Sequence, residues 1–163
     1  MTHFEQLPDH SRIWIYQAPR PLTMEEEEVA SAVLEKFISE WKAHGTDLDA
    51  SYTIREHRFI IIGVDESSQP ATGCSIDASV GMIRTLQNEL GIDLLDRTQV
   101  AFVDNGMVVS VPMMDFSKMV REGDISPETT VFNNMVTTMG EFKDHWRVPA
   151  VESWHKRFFS TVK

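Results

Sequence analysis

Apolar positions outline several strands in the first two thirds of the chain. Ser11–Gln17 (SRIWIYQ) is apolar on both faces, which predicts a central strand. Ser51–Ile54 and Arg58–Val64 are either two strands that meet near Glu56-His57 or one long bent strand, because that turn lacks Gly and Asn. Thr98–Val103 and Met107–Val111 flank Asn105-Gly106, the strongest hairpin signal in the chain.

Helical periodicity predicts two long helices with defined ends. Thr23 and Glu26 form a capping box, and an apolar face then continues to Gly45, the expected C-cap. A second stripe covers Ile76 to Leu90, with Ser75 as N-cap and Gly91 as C-cap.

The end of the chain is less regular. A short helix is expected over Phe116–Arg121, and residues 129–147 mix helical and strand signals. Pro149 is suited to start a last helix, with Val151, Trp154, His155 and Phe158 on one side.

The order of these elements predicts an α+β fold with two layers, in which helices pack on one face of an antiparallel or mixed sheet. The order β-α-β-β-α-β matches the ferredoxin-like order, followed by an extra hairpin strand and C-terminal helices. A length of 163 residues predicts one domain, residues 1–163.

Composition narrows the function. The net charge of −10 disfavours nucleic acid and anionic membranes as partners, because binding phosphates requires clustered Lys and Arg. The N-terminus does not resemble a signal peptide, and the longest apolar run, Phe59 to Val64, is too short to cross a bilayer. One cysteine fits a reducing cytoplasm.

Cys74 lies in a Gly-Cys-Ser-Ile-Asp segment and is predicted to come just before the second helix. The N–H groups at a helix start stabilise anions and thiolates, so Cys74 is a candidate nucleophile. A cysteine enzyme also needs a base, and the sequence does not place any of its six His beside Cys74. A partly buried structural cysteine is the simpler interpretation.

Three carboxylates in the same region, Asp65, Glu66 and Asp77, are catalytic candidates that could share a divalent cation. The spacing of His and acidic residues matches no metal motif, and stabilisation of the helix start by Asp77 is the favoured interpretation, so no metal is predicted. No cofactor is predicted either, because the chain lacks GxxxxGK[ST] and GxGxxG.

Two groups of residues are predicted to bind ligand. Thr72, Gly73 and Ser75 offer N–H and hydroxyl donors to a small anion at the start of the second helix. Trp154 and His155 either dock the last helix onto the core or line a ligand cleft.

Several segments resemble a family of short uncharacterised bacterial proteins, over about Phe4 to Phe159. The segments are SRIWIYQA, FIIIGVDES, GCSIDASV, LLDR, VFNNMVTT and VPAVESWHKRF. Members are often labelled "ABC transporter ATPase", a label that this chain contradicts because it has neither a Walker A motif nor LSGGQ. The resemblance implies a bacterial cytoplasmic protein.

These observations favour a small-ligand (anion) binding or interaction domain. The alternatives are a Cys-dependent or a metal-assisted hydrolase with its site at residues 65–77. A homodimer formed through the edge of the Thr98–Val111 hairpin is a further hypothesis.

Overall fold

The computed structural model describes residues 3–160. These residues form the helices α1 (Met24–Glu40), α2 (Gly73–Leu90), α3 (Met113–Arg121) and α4 (Met139–His145). The strands are β1 (Arg12–Gln17), β2 (Lys42–Ala43), β3 (Thr46–Asp47), β4 (Asp49–Arg55), β5 (Phe59–Asp65), β6 (Gln99–Asp104), β7 (Met107–Pro112), β8 (Thr130–Phe132) and β9 (Arg147–Pro149). All strand pairs are antiparallel, so the predicted α+β class is confirmed.

The backbone contacts divide the chain into two compact units. The first unit comprises residues 1–95 and 137–140, and the second comprises residues 96–136 and 141–163. The grouping of all 163 residues into one domain stays a prediction.

The first unit is built on a sheet with the order β1-β5-β4. The central strand is β5, whereas β1, predicted to be central, lies at the side of this three-stranded ladder. Residues 137–140 run along the outer side of β1, where the Ile13 N–H donates to the Thr137 carbonyl oxygen at 2.9 Å. The sequence pattern reflects burial of both faces of β1, which does not require a central position.

The two faces of this sheet pack against different elements. Ile60, Ile62 and Val64 point toward α1 and α2 and share a core with Leu34 and Leu86. This arrangement confirms that helices cover one face of the sheet. The alternate residues of β5 face the other way, and Leu7 lies directly over Gly63 on that side.

Helix α1 begins as predicted and ends earlier than predicted. The capping box of Thr23 and Glu26 is formed, but the helix stops at Glu40. Gly45 is therefore not its C-cap. Instead His44 and Gly45, with φ of 52° and 76°, form the turn between β2 and β3. A glycine with positive φ serves a helix end and a tight hairpin equally well, which explains the wrong prediction.

Residues 51–64 form two strands, which settles the choice between a hairpin and a bent strand. The turn at Glu56-His57 has φ of 53° and 56°, and the Arg58 N–H donates to the Arg55 carbonyl oxygen at 3.0 Å. Such angles are typical of a type I′ turn, which normally contains Asn and Gly. Non-glycine residues pay a steric penalty in this region.

We expect opposite effects from two glycine exchanges at equivalent turn positions. His57→Gly should raise the free energy of unfolding by about 0.5–1 kcal/mol, because relief of the left-handed strain outweighs the loss of the exposed hydrogen bond between His57 Nδ1 and Glu27. Gly106→Ala should lower the free energy of unfolding by about 1 kcal/mol, because Gly106 has a φ of 78°. An added Cβ would meet no atom within 4 Å, so this loss comes from the backbone conformation and not from a steric clash with a neighbour. Urea unfolding measures both values, and shifts of the same sign would contradict this interpretation.

The second unit contains a sheet with the order β7-β6-β8-β9. The Asn105-Gly106 hairpin is formed as predicted, with Asp104 paired to Met107. In a ferredoxin-like fold, the strand after the second helix joins the first sheet. Here β6 belongs to the second sheet, so the ferredoxin-like topology is not confirmed.

The last part of the second unit differs from its prediction. In place of a final helix, the chain forms two 3-10 turns, Ala150–Glu152 and Trp154–Phe158. Trp154 and Phe158 pack against the core of the unit, whereas Val151 is exposed. The short turns rotate Val151 away from the face that a regular helix would share with Trp154.

Candidate functional site

The first turn of α2 brings together most of the predicted ligand-binding residues. The helix begins at Gly73, and its N-cap is Thr72, whose hydroxyl accepts from the Ser75 N–H at 3.2 Å. In return, the Thr72 N–H donates to the Ser75 hydroxyl at 2.7 Å. Ser75 is therefore the third helical residue and not the N-cap as predicted. The pattern is a capping box with Ser in the position that Glu usually occupies.

This early start changes the place of two candidate residues. Cys74 is the second residue of the helix, not the residue before it, and it is exposed. Asp77 is exposed in the second turn, so the first turn of α2 contains no acidic residue. In contrast, the first turn of α1 contains Glu25, Glu26 and Glu27. No carboxylate within α2 itself offsets the partial positive charge at its start.

Two backbone N–H groups remain available at this helix start. Within residues 3–160, the N–H groups of Gly73 and Cys74 have no hydrogen-bond acceptor. Both residues are exposed, and a Cβ on Gly73 would meet no atom within 4 Å. Adjacent N–H groups of exposed residues at a helix start are suited to bind one anionic oxygen atom each.

A nearby carboxylate partly counteracts this positive end. Glu66 accepts the Ala71 N–H at 2.8 Å, just before the N-cap. Its negative charge is offset by Arg12, whose Nε lies 3.7 Å from a Glu66 carboxylate oxygen. The net field at Gly73 and Cys74 therefore depends on Arg12 as well as on the helix.

Trp41 holds the first turn of α2 in position through a hydrogen bond. The sequence did not indicate this residue as part of the site. Its buried indole N–H donates to the Ser75 carbonyl oxygen at 2.8 Å. The ring also packs against Phe37, with ring centroids 5.1 Å apart. Trp41 is the C-cap of α1, so this one residue ends one helix and positions the start of the next.

Asp65 belongs to a separate cluster with His10 and Ser67. The Ser67 hydroxyl donates to Asp65 at 2.6 Å, and His10 Nε2 lies 2.8 Å from the same hydroxyl and 3.2 Å from Asp65. In a Ser-His-Asp triad, Ser and Asp contact different ring nitrogens. Here both contact Nε2 and the serine proton goes to Asp65, so His10 is not placed as a base for Ser67.

Hydrogen bonds to Ser67 stabilise the charged form of Asp65. The Ser67 hydroxyl and then its backbone N–H lower the pKa of Asp65, with a smaller contribution from His10. This carboxylate is therefore an acceptor that ties the end of β5 to the following loop. It is not poised as a general acid.

The two hydrolase hypotheses require a base beside Cys74 or a set of metal ligands, and the described part of the chain provides neither. The Cys74 thiol has no hydrogen-bond partner within residues 3–160, so no His nitrogen forms the pair that a thiol nucleophile needs. Residues 3–160 likewise contain no group of three His, Cys, Asp or Glu side chains that could hold a metal ion. Asp65, Glu66 and Asp77 are not brought together.

Trp154 and His155 lie in the second unit and form a docked ring cluster. The two rings stack with centroids 3.9 Å apart, and His155 is 1% exposed. His155 Nδ1 lies 2.7 Å from the Ser153 hydroxyl. Burial, and then the charge of Arg157, lower the pKa of His155 to about 4. Of the two interpretations from the sequence, these contacts favour docking onto the core.

Comparisons with known proteins do not assign this site. No protein-family model matches the chain, and neither the curated proteins nor the solved structures that were searched give a match. The resemblance to short uncharacterised bacterial proteins therefore stays a prediction. None of the helices within residues 3–160 is long and apolar enough to cross a membrane.

Proposed function

We propose that this protein is a binding domain for a small anion, with the start of α2 as the binding position. The observation that carries this proposal is the pair of N–H groups of Gly73 and Cys74, which lack acceptors within residues 3–160 and belong to two exposed residues. A phosphate or carboxylate oxygen would complete their hydrogen bonds and interact favourably with the helix dipole.

The surrounding side chains support binding and not catalysis. Thr72 and Ser75 use their hydroxyls on each other, and Glu66 and Arg12 are paired. None of these groups is left as a base or a nucleophile. Cys74 contributes its backbone N–H, and its thiol is not needed for this role.

Substitutions at Cys74 separate anion binding from thiol chemistry. We expect inorganic phosphate to bind wild type and Cys74→Ala with the same affinity, because both keep the backbone N–H. Cys74→Asp places a carboxylate at the helix start, and like-charge repulsion at contact distance should weaken phosphate binding by roughly tenfold or more. Titration calorimetry at constant ionic strength measures the affinities.

Thr85→Asp is the matched control for this experiment. It adds the same charge on an exposed position of α2, about 16 Å further along the helix, where salt screens its effect on the first turn. It should bind phosphate like wild type. Loss of binding in Cys74→Ala, or equal weakening by both aspartates, would contradict the proposed binding position.

A further inference from the structure

The ring of His155 is buried in the second unit with one of its nitrogen atoms unsatisfied. Its Nδ1 is bonded to Ser153, but its Nε2 has no hydrogen-bond partner within residues 3–160. Phe116 of α3 lies 5.7 Å away between ring centroids, and Trp154 stacks on the ring. A neutral imidazole tolerates these surroundings, whereas an imidazolium needs an acceptor for each of its two N–H groups.

We propose that His155 is an acid-sensitive latch: its neutral ring holds the 3-10 segment Trp154–Phe158 on α3, and protonation releases that segment. Release would expose Phe116, which is fully buried in the docked state and also packs against Phe158, with centroids 5.1 Å apart. Binding of one proton to His155 would thus expose an apolar surface.

The charges around the ring favour this response. Arg157, two residues away in the same 3-10 turn, adds a positive charge that opposes protonation in the docked state. The charged side chains on the elements packed around the ring are all exposed, so none supplies a buried counter-charge: Asp115, Lys118, Arg121, Glu152, Lys156 and Arg157.

The direction of the pH dependence follows from the two states. Above about pH 6.5, the ring is neutral whether the segment is docked or released. Between 6.5 and about 4, the released segment takes up a proton that the docked segment excludes, so the docked state loses stability as the pH falls. Below about 4, both states are protonated and the loss levels off.

Hydrogen exchange at single amides tests the latch. The Lys156 N–H donates to the Ser153 carbonyl oxygen and the Phe159 N–H to that of Lys156, so both amides are protected only while the segment is docked. After correction for intrinsic exchange rates, we expect their protection to fall on the order of 50-fold between about pH 7 and about pH 4.5. The amides of Phe102 and Val109 in the β6–β7 ladder should keep theirs.

His155→Asn is the matched variant, because its amide can reach the Ser153 hydroxyl and does not titrate in this range. Its Lys156 and Phe159 amides should show no such fall. Constant protection in wild type, an equal fall in the variant, or an equal fall at Phe102 and Val109 would each overturn the proposal. An equal fall at Phe102 and Val109 would indicate unfolding of the whole unit in place of local release. If the variant does not fold, the comparison of the two groups of amides within the wild-type protein still decides the question.

Discussion

Trp41→Ala is expected to lower the free energy of unfolding by about 3–5 kcal/mol, because it removes a large side chain that is 3% exposed. The indole packs against Phe37 and Trp14, and the deleted volume would leave a cavity between the end of α1 and the start of α2. Equilibrium unfolding in urea measures this loss. A cost below about 1 kcal/mol, typical of a surface substitution, would contradict this role.

Trp41→Phe separates the hydrogen bond from the packing. It keeps an aromatic ring and removes only the indole N–H that donates to the Ser75 carbonyl oxygen, so we expect a loss of about 0.5–1.5 kcal/mol. The amides of the first turn of α2 should also exchange faster in this variant. If they keep wild-type protection, Trp41 does not position the candidate site.

Gly63→Ala is expected to lower the free energy of unfolding by about 1–3 kcal/mol through overpacking. A Cβ at this position would lie 2.5 Å from Leu7 Cδ1 and 3.1 Å from Ile13 Cδ1. Leu7 is buried, so its methyl group has little room to retreat. The substitution therefore pushes Leu7, and with it the preceding 3-10 turn Phe4–Gln6, away from strand β5.

Gly81→Ala provides the control for the chemical change from glycine to alanine. Gly81 lies within α2, and a Cβ there would meet no atom within 4 Å. Alanine has the higher helix propensity, so the free energy of unfolding should rise by about 0.5–1 kcal/mol. If Gly63→Ala is as well tolerated as Gly81→Ala, this result would contradict the close packing of Leu7 on β5.

Local signals in the sequence predicted local structure well. The capping box of Thr23 and Glu26 and the Asn105-Gly106 hairpin involve residues one to three positions apart, and both are formed. The errors arose where one local pattern fits two structures. Gly45 suits a helix end and a hairpin turn, and Thr72 and Ser75 are both acceptable N-caps.

Contacts between distant residues were beyond the reach of the sequence. His10 and Asp65 are 55 positions apart, and Trp41 and Ser75 are 34 apart. The assignment of β6 to a second sheet likewise depends on pairing with β8, which no local pattern specifies. At the candidate site, the sequence placed the anion donors within two residues of the observed helix start, but it did not reveal how Trp41 and Arg12 support them.

Backbone amide shifts in a phosphate titration test the anion-binding proposal most directly. In a ¹⁵N–¹H spectrum at constant ionic strength, the Gly73 and Cys74 amides should shift together and saturate, since both are expected to donate to the same anion. The amides of the first turn of α1, which contains three glutamates, should stay unchanged. Unmoved Gly73 and Cys74 signals, or equal shifts at both helix starts, would contradict a binding site at α2.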